Sequence, residues 1–116
     1  MLLPFSGDIW FYPKPVDFRK QLDALIILIA DHLKKNPSSG ELFLFRSRSA
    51  QKMKMVWWDR NGFWLFYRRF EKGRFQFPRS QEDAMLLTRD QMNWLLSGLN
   101  FLEHQLLPEI KPTIFF

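Results

Sequence analysis

Apolar residues between Asp17 and Lys35 fall at positions 18, 22, 25, 26, 29 and 33, spacings that line one face of a helix. Asp17 suits the N-cap or first turn, where a carboxylate meets free amides and the positive end of the helix dipole. Lys34 and Lys35 suit the opposite end, and Asn36-Pro37 stops the helix. Ile27 and Leu28 lie off the stripe and imply burial on a second side, or a partner. Upstream, Asp8-Ile9-Trp10-Phe11-Tyr12 is aromatic and β-branched and reads as a short strand ended by Pro13.

After the turn Pro37-Ser38-Ser39-Gly40, strand patterns dominate. Residues 42–46, 52–58 and 63–70 are successive strand candidates. The junction Asp59-Arg60-Asn61-Gly62 contains Asn-Gly, a strong hairpin signal because a type I′ turn needs positive φ at both central residues. A two-residue turn at Asn61-Gly62 sets Trp58 against Leu65, and a four-residue loop sets Trp58 against Phe63. Both keep the same residues on each face, because the shift is even. One face carries Met53, Met55, Trp57, Trp64, Phe66 and Phe70, interrupted only by Arg68, and reads as the core face. The other carries Lys52, Lys54, Val56, Trp58, Phe63, Leu65, Tyr67 and Arg69, mixing cations with aromatics.

Glu71-Lys72-Gly73-Arg74 reads as a turn, and residues 79–86 as a polar surface connection. Thr88 and Gln91 then form a T-x-x-Q capping box, with Leu87 and Met92 placed as its hydrophobic staple and Gly98 as a left-handed C-cap. Asn100 and Glu103 suit a second short helix ending before Pro108, and the tail 112–116 is strongly apolar. These elements predict an α+β fold. It is a single small domain in which an antiparallel β-meander packs against a long N-terminal helix, with one or two short C-terminal helices. The domain spans residues 1–100, and residues 101–116 form a C-terminal extension.

Charge changes the picture by its distribution. The chain of 116 residues carries a formal net charge of +5. Residues 41–80 hold ten basic and three acidic side chains, a net of +7, against −2 for the remainder. Such a concentration makes a local field for a polyanion, although a solvated charged face has the same composition. On the mixed hairpin face, Lys and Arg can neutralise phosphates while aromatic rings stack on exposed bases. In either register Lys52 or Lys54 sits opposite Arg69, a like-charge pair that a bound phosphate, or splaying into water, would relieve. A cation–π contact between Lys54 and Tyr67 is a purely structural account of the same mixture.

Catalytic equipment is sparse. With no cysteine there is no disulfide framework, thiolate zinc site or cysteine nucleophile. His32 and His104 lack metal-ligand spacing, and Asp17, Asp23 and Asp31 do not share a helix face. Those acids read instead as helix-solvating, with Arg19–Asp23 and Asp31–Lys35 pairs at i,i+4. The pattern predicts no enzyme, no cofactor and no metal site. The apolar run Ala24–Ala30 is seven residues long, against about 20 needed to cross a bilayer. The start of the chain lacks the pattern of a secretory signal, so the chain reads as cytoplasmic, without a membrane partner or a small-molecule substrate.

Five ordered motifs carry a resemblance. They are Asp17-Phe18-Arg19-Lys20, Gly40-Glu41-Leu42-Phe43-Leu44-Phe45, Lys54-Met55-Val56-Trp57-Trp58-Asp59 with Gly62, Arg69-Phe70-Glu71-Lys72-Gly73-Arg74-Phe75 with Pro78, and Leu87-Thr88 with Gln91, Leu95-Leu96 and Gly98. Over about residues 8–100 the chain resembles the small accessory proteins (TnpB type) encoded by the second open reading frame of insertion sequence 66 elements. The resemblance implies a bacterial protein encoded beside a larger transposase, needed for efficient transposition and without a recognised catalytic site. This chain has Phe77 where family members often have Trp, and it extends beyond Gly98-Leu99-Asn100, near which many members end.

Two functions are therefore expected. In the first, the protein binds DNA, or RNA, with Arg46, Arg48, Lys52, Lys54, Arg69, Lys72 and Arg74 on phosphates and Trp58 and Tyr67 stacking or wedging. In the second, it is an assembly factor that contacts the element's transposase through exposed apolar residues such as Ile27 and Leu28, without binding DNA itself. A small nuclease would need an acid cluster that only the fold could assemble.

Overall fold

The structure is a computed structural model and describes residues 7–98. Its elements are β1 (Ile9–Phe11), α1 (Leu22–Asp31), β2 (Leu42–Arg46), β3 (Lys52–Asp59), β4 (Gly62–Arg69), β5 (Met85–Leu87) and α2 (Arg89–Leu96). The strands form one five-stranded sheet in the order β4-β3-β2-β1-β5. β1 runs parallel to β2, whereas the β1–β5, β2–β3 and β3–β4 pairs are antiparallel.

This mixed sheet corrects the expected antiparallel meander. A parallel β1–β2 pair needs a crossover, which the segment containing α1 supplies. The polar connection expected over residues 79–86 ends instead in β5, a second sheet edge paired to β1. Sheet, not helix, dominates the domain.

The long N-terminal helix is also corrected. α1 is ten residues long, and Gln21 caps it in extended conformation with no side-chain hydrogen bond. A helix beginning at Asp17 would need the Phe18 and Lys20 carbonyls for its own amides four residues on. Both instead accept from Lys54 Nζ, at 2.9 and 2.7 Å. Asp17 is spent locally as well: its carboxylate accepts from the Arg19 amide and guanidinium. Those bonds hold the Asp17 carboxyl at about 2, and the expected Arg19–Asp23 pair does not form. At the other end Lys34 adopts φ +57°, and the Lys35 amide turns back to the Ile29 carbonyl before Asn36-Pro37 is reached.

β2 explains why the core is double. Leu42 to Phe45 are all 0% exposed, the continuous apolar run of a strand covered on both faces. Leu42 and Leu44 join Ile9, Phe11, Met53 and Met55 beneath α2 residues Met92, Leu95 and Leu96, with Phe75 closing the cluster. Phe43 and Phe45 join Val56 beneath α1 residues Leu25 and Ile29, together with Tyr12, Val16 and Leu33.

α2 forms as its sequence dictates. The Thr88 hydroxyl accepts from the Gln91 amide at 3.0 Å, and the Gln91 side chain accepts from the Thr88 amide at 2.9 Å. Leu87 and Met92 lie buried in one cluster, and Gly98 ends the helix with φ +78°. A Cβ at Gly98 would meet Phe70 Cζ at 3.0 Å as well as the left-handed strain. Gly98→Ala is therefore expected to cost about 1–2 kcal/mol in urea unfolding. A neutral effect would contradict this close approach. The short helix expected near residues 100–103 and the tail 112–116 lie outside the described residues.

Candidate nucleic-acid interface

The β3–β4 register decides what the hairpin presents. Trp58 faces Phe63 and Asp59 faces Gly62, so the loop is Arg60-Asn61, and Arg60 takes the left-handed φ of +58°. This is the pairing expected of the longer loop, and both faces keep their expected residues. Their environments differ from expectation, however. α1 covers the mixed face over β3: Val56 is fully buried, and Phe63 and Leu65 pack against the α1 cluster. On the face read as core, Trp64 is 54% exposed, because β4 is the sheet edge.

Lys54 is the clearest departure from the expected site. It is 5% exposed, and its ammonium is held by two carbonyls and lies 5.1 Å from the Phe18 ring centroid. Burial, with the neighbouring Lys52 charge, lowers its pKa below the usual 10.5. Its cation–π partner is Phe18 rather than Tyr67, the residue opposite it in register. Lys54 is thus committed to shaping the segment before α1. Trp58 is separated from the cations as well. It packs edge-on against Phe63 at the hairpin tip, six residues and about 20 Å along β3 from Lys52.

The remaining expected residues converge on one end of the sheet. β2 ends at Arg46, and the Ser47 amide bonds the Lys52 carbonyl across the intervening loop. Lys52 faces Arg69 at the end of β4. The Phe70 and Phe75 amides then donate to the Gln51 and Ala50 carbonyls, which folds the Lys72–Arg74 segment back against the same loop. The segments that carry Arg46, Arg48, Lys52, Arg69, Lys72 and Arg74 meet at this end, Arg46 on the opposite sheet face from Lys52 and Arg69, with Tyr67 two residues from Arg69 on the same face. Tyr67 is 53% exposed, and its ring lies 6.3 Å from Phe18.

These cations are not equally free. Arg46 is half-buried, with Nε donating to the Pro13 carbonyl at 2.8 Å, and burial lowers its pKa. Arg69 bonds Glu71 through Nε and Nη2, which offsets the like charge of Lys52 opposite. Arg48, Lys52, Lys72 and Arg74 make no salt bridge among the described residues. Two clefts flank the loop. One, of about 600 Å³, is lined by Arg46, Phe75, Phe77 and Arg79, and the other, of about 450 Å³, by Ser49, Arg48, Lys52 and Asp17.

Two further cations, Arg68 and Arg79, lie outside the set expected to contact phosphate. Arg68 alternates onto the face read as core, yet it lies at the exposed end of an edge strand. Arg79 sits in a stretch with no period and joins Arg46 only through the fold. Among the described residues, no group of three or more His, Cys, Asp or Glu is placed to hold a metal ion. No described helix is long and apolar enough to cross a membrane. His32 is exposed at the α1 C-cap, and His104 lies outside the described residues.

Comparison with known proteins agrees with the motif order. No solved structure matches the chain. Two proteins of Sinorhizobium fredii (strain NBRC 101917 / NGR234) are similar along most of their length, both described as uncharacterized. y4hO is 34% identical over 102 residues, covering 86% of this chain and 89% of its own. y4jC is 29% identical over 114 residues, covering 97% of each. The profile of the family described as "IS66 Orf2 like protein" matches residues 7–105. The chain therefore belongs to the IS66 Orf2-like family, the accessory proteins of these insertion sequences.

Proposed function

We propose that this accessory protein performs no chemistry of its own and binds nucleic acid, DNA or RNA, through the basic end of its sheet. The observation that carries the reading is the convergence of Arg48, Lys52, Lys72 and Arg74, without salt bridges among the described residues, around the β2–β3 loop. Elements distant in sequence gather like charges there, and phosphates would neutralise them with release of counterions. Tyr67 supplies an exposed ring at the margin of this patch, suited to stacking. Lys54 and Trp58 support the scaffold, and Arg46 holds the Pro13 backbone while lining a cleft.

A second reading, contact with the element's transposase, is favoured by Ile27 on α1, which is 59% exposed, and by Leu86 on β5, at 51%. Leu28, the other off-stripe residue, packs instead against the α1 cluster. Co-expression of the tagged chain with the transposase separates the two readings. The first predicts that nucleic acid co-purifies and that nuclease or high salt removes it together with anything it bridges. Transposase retained at high salt after nuclease treatment, with no nucleic acid recovered at any step, would overturn the first reading in favour of the second.

A further inference from the structure

The outer side of β4 has no strand beside it among the described residues. Its polarity can be read from the ladder. The Phe70 amide donates inward to the Gln51 carbonyl, so alternate residues Arg68, Phe66 and Trp64 also bond toward β3. The backbone groups of Phe63, Leu65, Tyr67 and Arg69 consequently point outward, with no partner among the described residues. Phe63-Trp64-Leu65-Phe66-Tyr67 is an unbroken apolar run, and Trp64 and Tyr67 are each more than half exposed. Natural edge strands are usually blunted by proline, a bulge or an inward charge. β4 contains no proline, and its register with β3 is continuous over all eight pairs.

We propose that this edge pairs antiparallel with β4 of a second copy of the chain, about a two-fold axis at Phe66, to give a continuous ten-stranded sheet. The occupant follows from the strand's complementarity to its own reverse. Centred on Phe66, Phe63 faces Arg69 of the second copy and Leu65 faces Tyr67 of the second copy, so every outward-pointing residue exchanges hydrogen bonds. A centre on Leu65 leaves Arg69 beyond the partner strand, and a centre on Tyr67 leaves Phe63 beyond it. A centre on Arg68 opposes two guanidinium groups. In the Phe66 register, Trp64 instead faces Arg68 of the second copy, a cation–π pairing made twice by symmetry. Arg68 makes no salt bridge among the described residues, which leaves it for that contact.

Sedimentation of the nuclease-treated full chain at high salt, across a wide concentration range, tests the pairing without nucleic-acid bridging. The wild type is expected to dimerise. Trp64→Arg, at an exposed position, sets like charges opposite Arg68 of the second copy and is expected to give a folded monomer. Adding Arg68→Glu to it restores the dimer. An independent measurement uses the absence of cysteine from the chain. Phe66→Cys places two thiols in a non-hydrogen-bonded pair at the axis, within disulfide reach, and mild oxidation is expected to link the dimer covalently. A wild type that stays monomeric would overturn the proposal, including one whose β4 edge is covered by its own residues 112–116. So would a dimer indifferent to Trp64→Arg, or a Phe66→Cys protein that fails to cross-link.

Discussion

Lys54→Glu is expected to unfold the domain, at a cost of about 3–5 kcal/mol, instead of acting as a surface charge reversal. The wild-type ammonium donates to the Phe18 and Lys20 carbonyls from a position that is 5% exposed. A carboxylate there would face two carbonyl oxygens that accept from the ammonium in the wild type. Lys54→Met keeps the apolar stem and loses only the charged hydrogen bonds, for which about 1.5–3 kcal/mol is expected in urea unfolding. The pH dependence has a definite sign. Burial lowers the folded pKa below 10.5, so in that window the unfolded chain binds the proton more tightly. The Lys54 contribution therefore grows as pH rises toward 10.5, and the stability gap between wild type and Lys54→Met widens. A gap that narrows would contradict a buried, desolvated ammonium.

Arg48→Ala combined with Lys52→Ala is expected to have the largest effect on nucleic-acid binding. Neither residue makes a salt bridge among the described residues, and both flank the cleft of about 450 Å³ beside the β2–β3 loop. Losing two phosphate contacts should reduce the log–log salt slope on duplex DNA by about 2 and weaken binding alike for all sequences. Trp58→Ala serves as the contrast. Its ring lies about 20 Å along β3 from Lys52, so stability should fall while the salt slope stays unchanged. Equal loss of slope in both variants would contradict a site confined to the sheet end.

Local patterns were legible in the sequence, and their assembly was not. The capping box at Thr88, the β2 strand and the even-shift logic of the hairpin all depend on nearest neighbours along the chain, and all match the structure. β1 and β5 are three residues each, and nothing within them specifies a parallel or an antiparallel partner. The α1 stripe extends back to Phe18, yet the helix starts later, because a side chain 34 residues from Lys20 takes the carbonyl that a longer helix would use. That same bond holds Lys54, expected from the sequence on a phosphate, against the segment before α1. The cation surplus of residues 41–80 was visible in composition, but its convergence on one sheet end rests on backbone bonds from Phe70 and Phe75 to the β2–β3 loop.

The central claim is that the basic sheet end binds the phosphate backbone, and a salt titration tests it most directly. Fluorescence anisotropy of a labelled duplex with the full-length chain, repeated across salt concentrations, gives the slope of log affinity against log salt. Four cations at this end without salt bridges among the described residues, Arg48, Lys52, Lys72 and Arg74, predict a slope of about −3.6. A flat response, or a slope unchanged by Arg48→Ala with Lys52→Ala, would contradict the account.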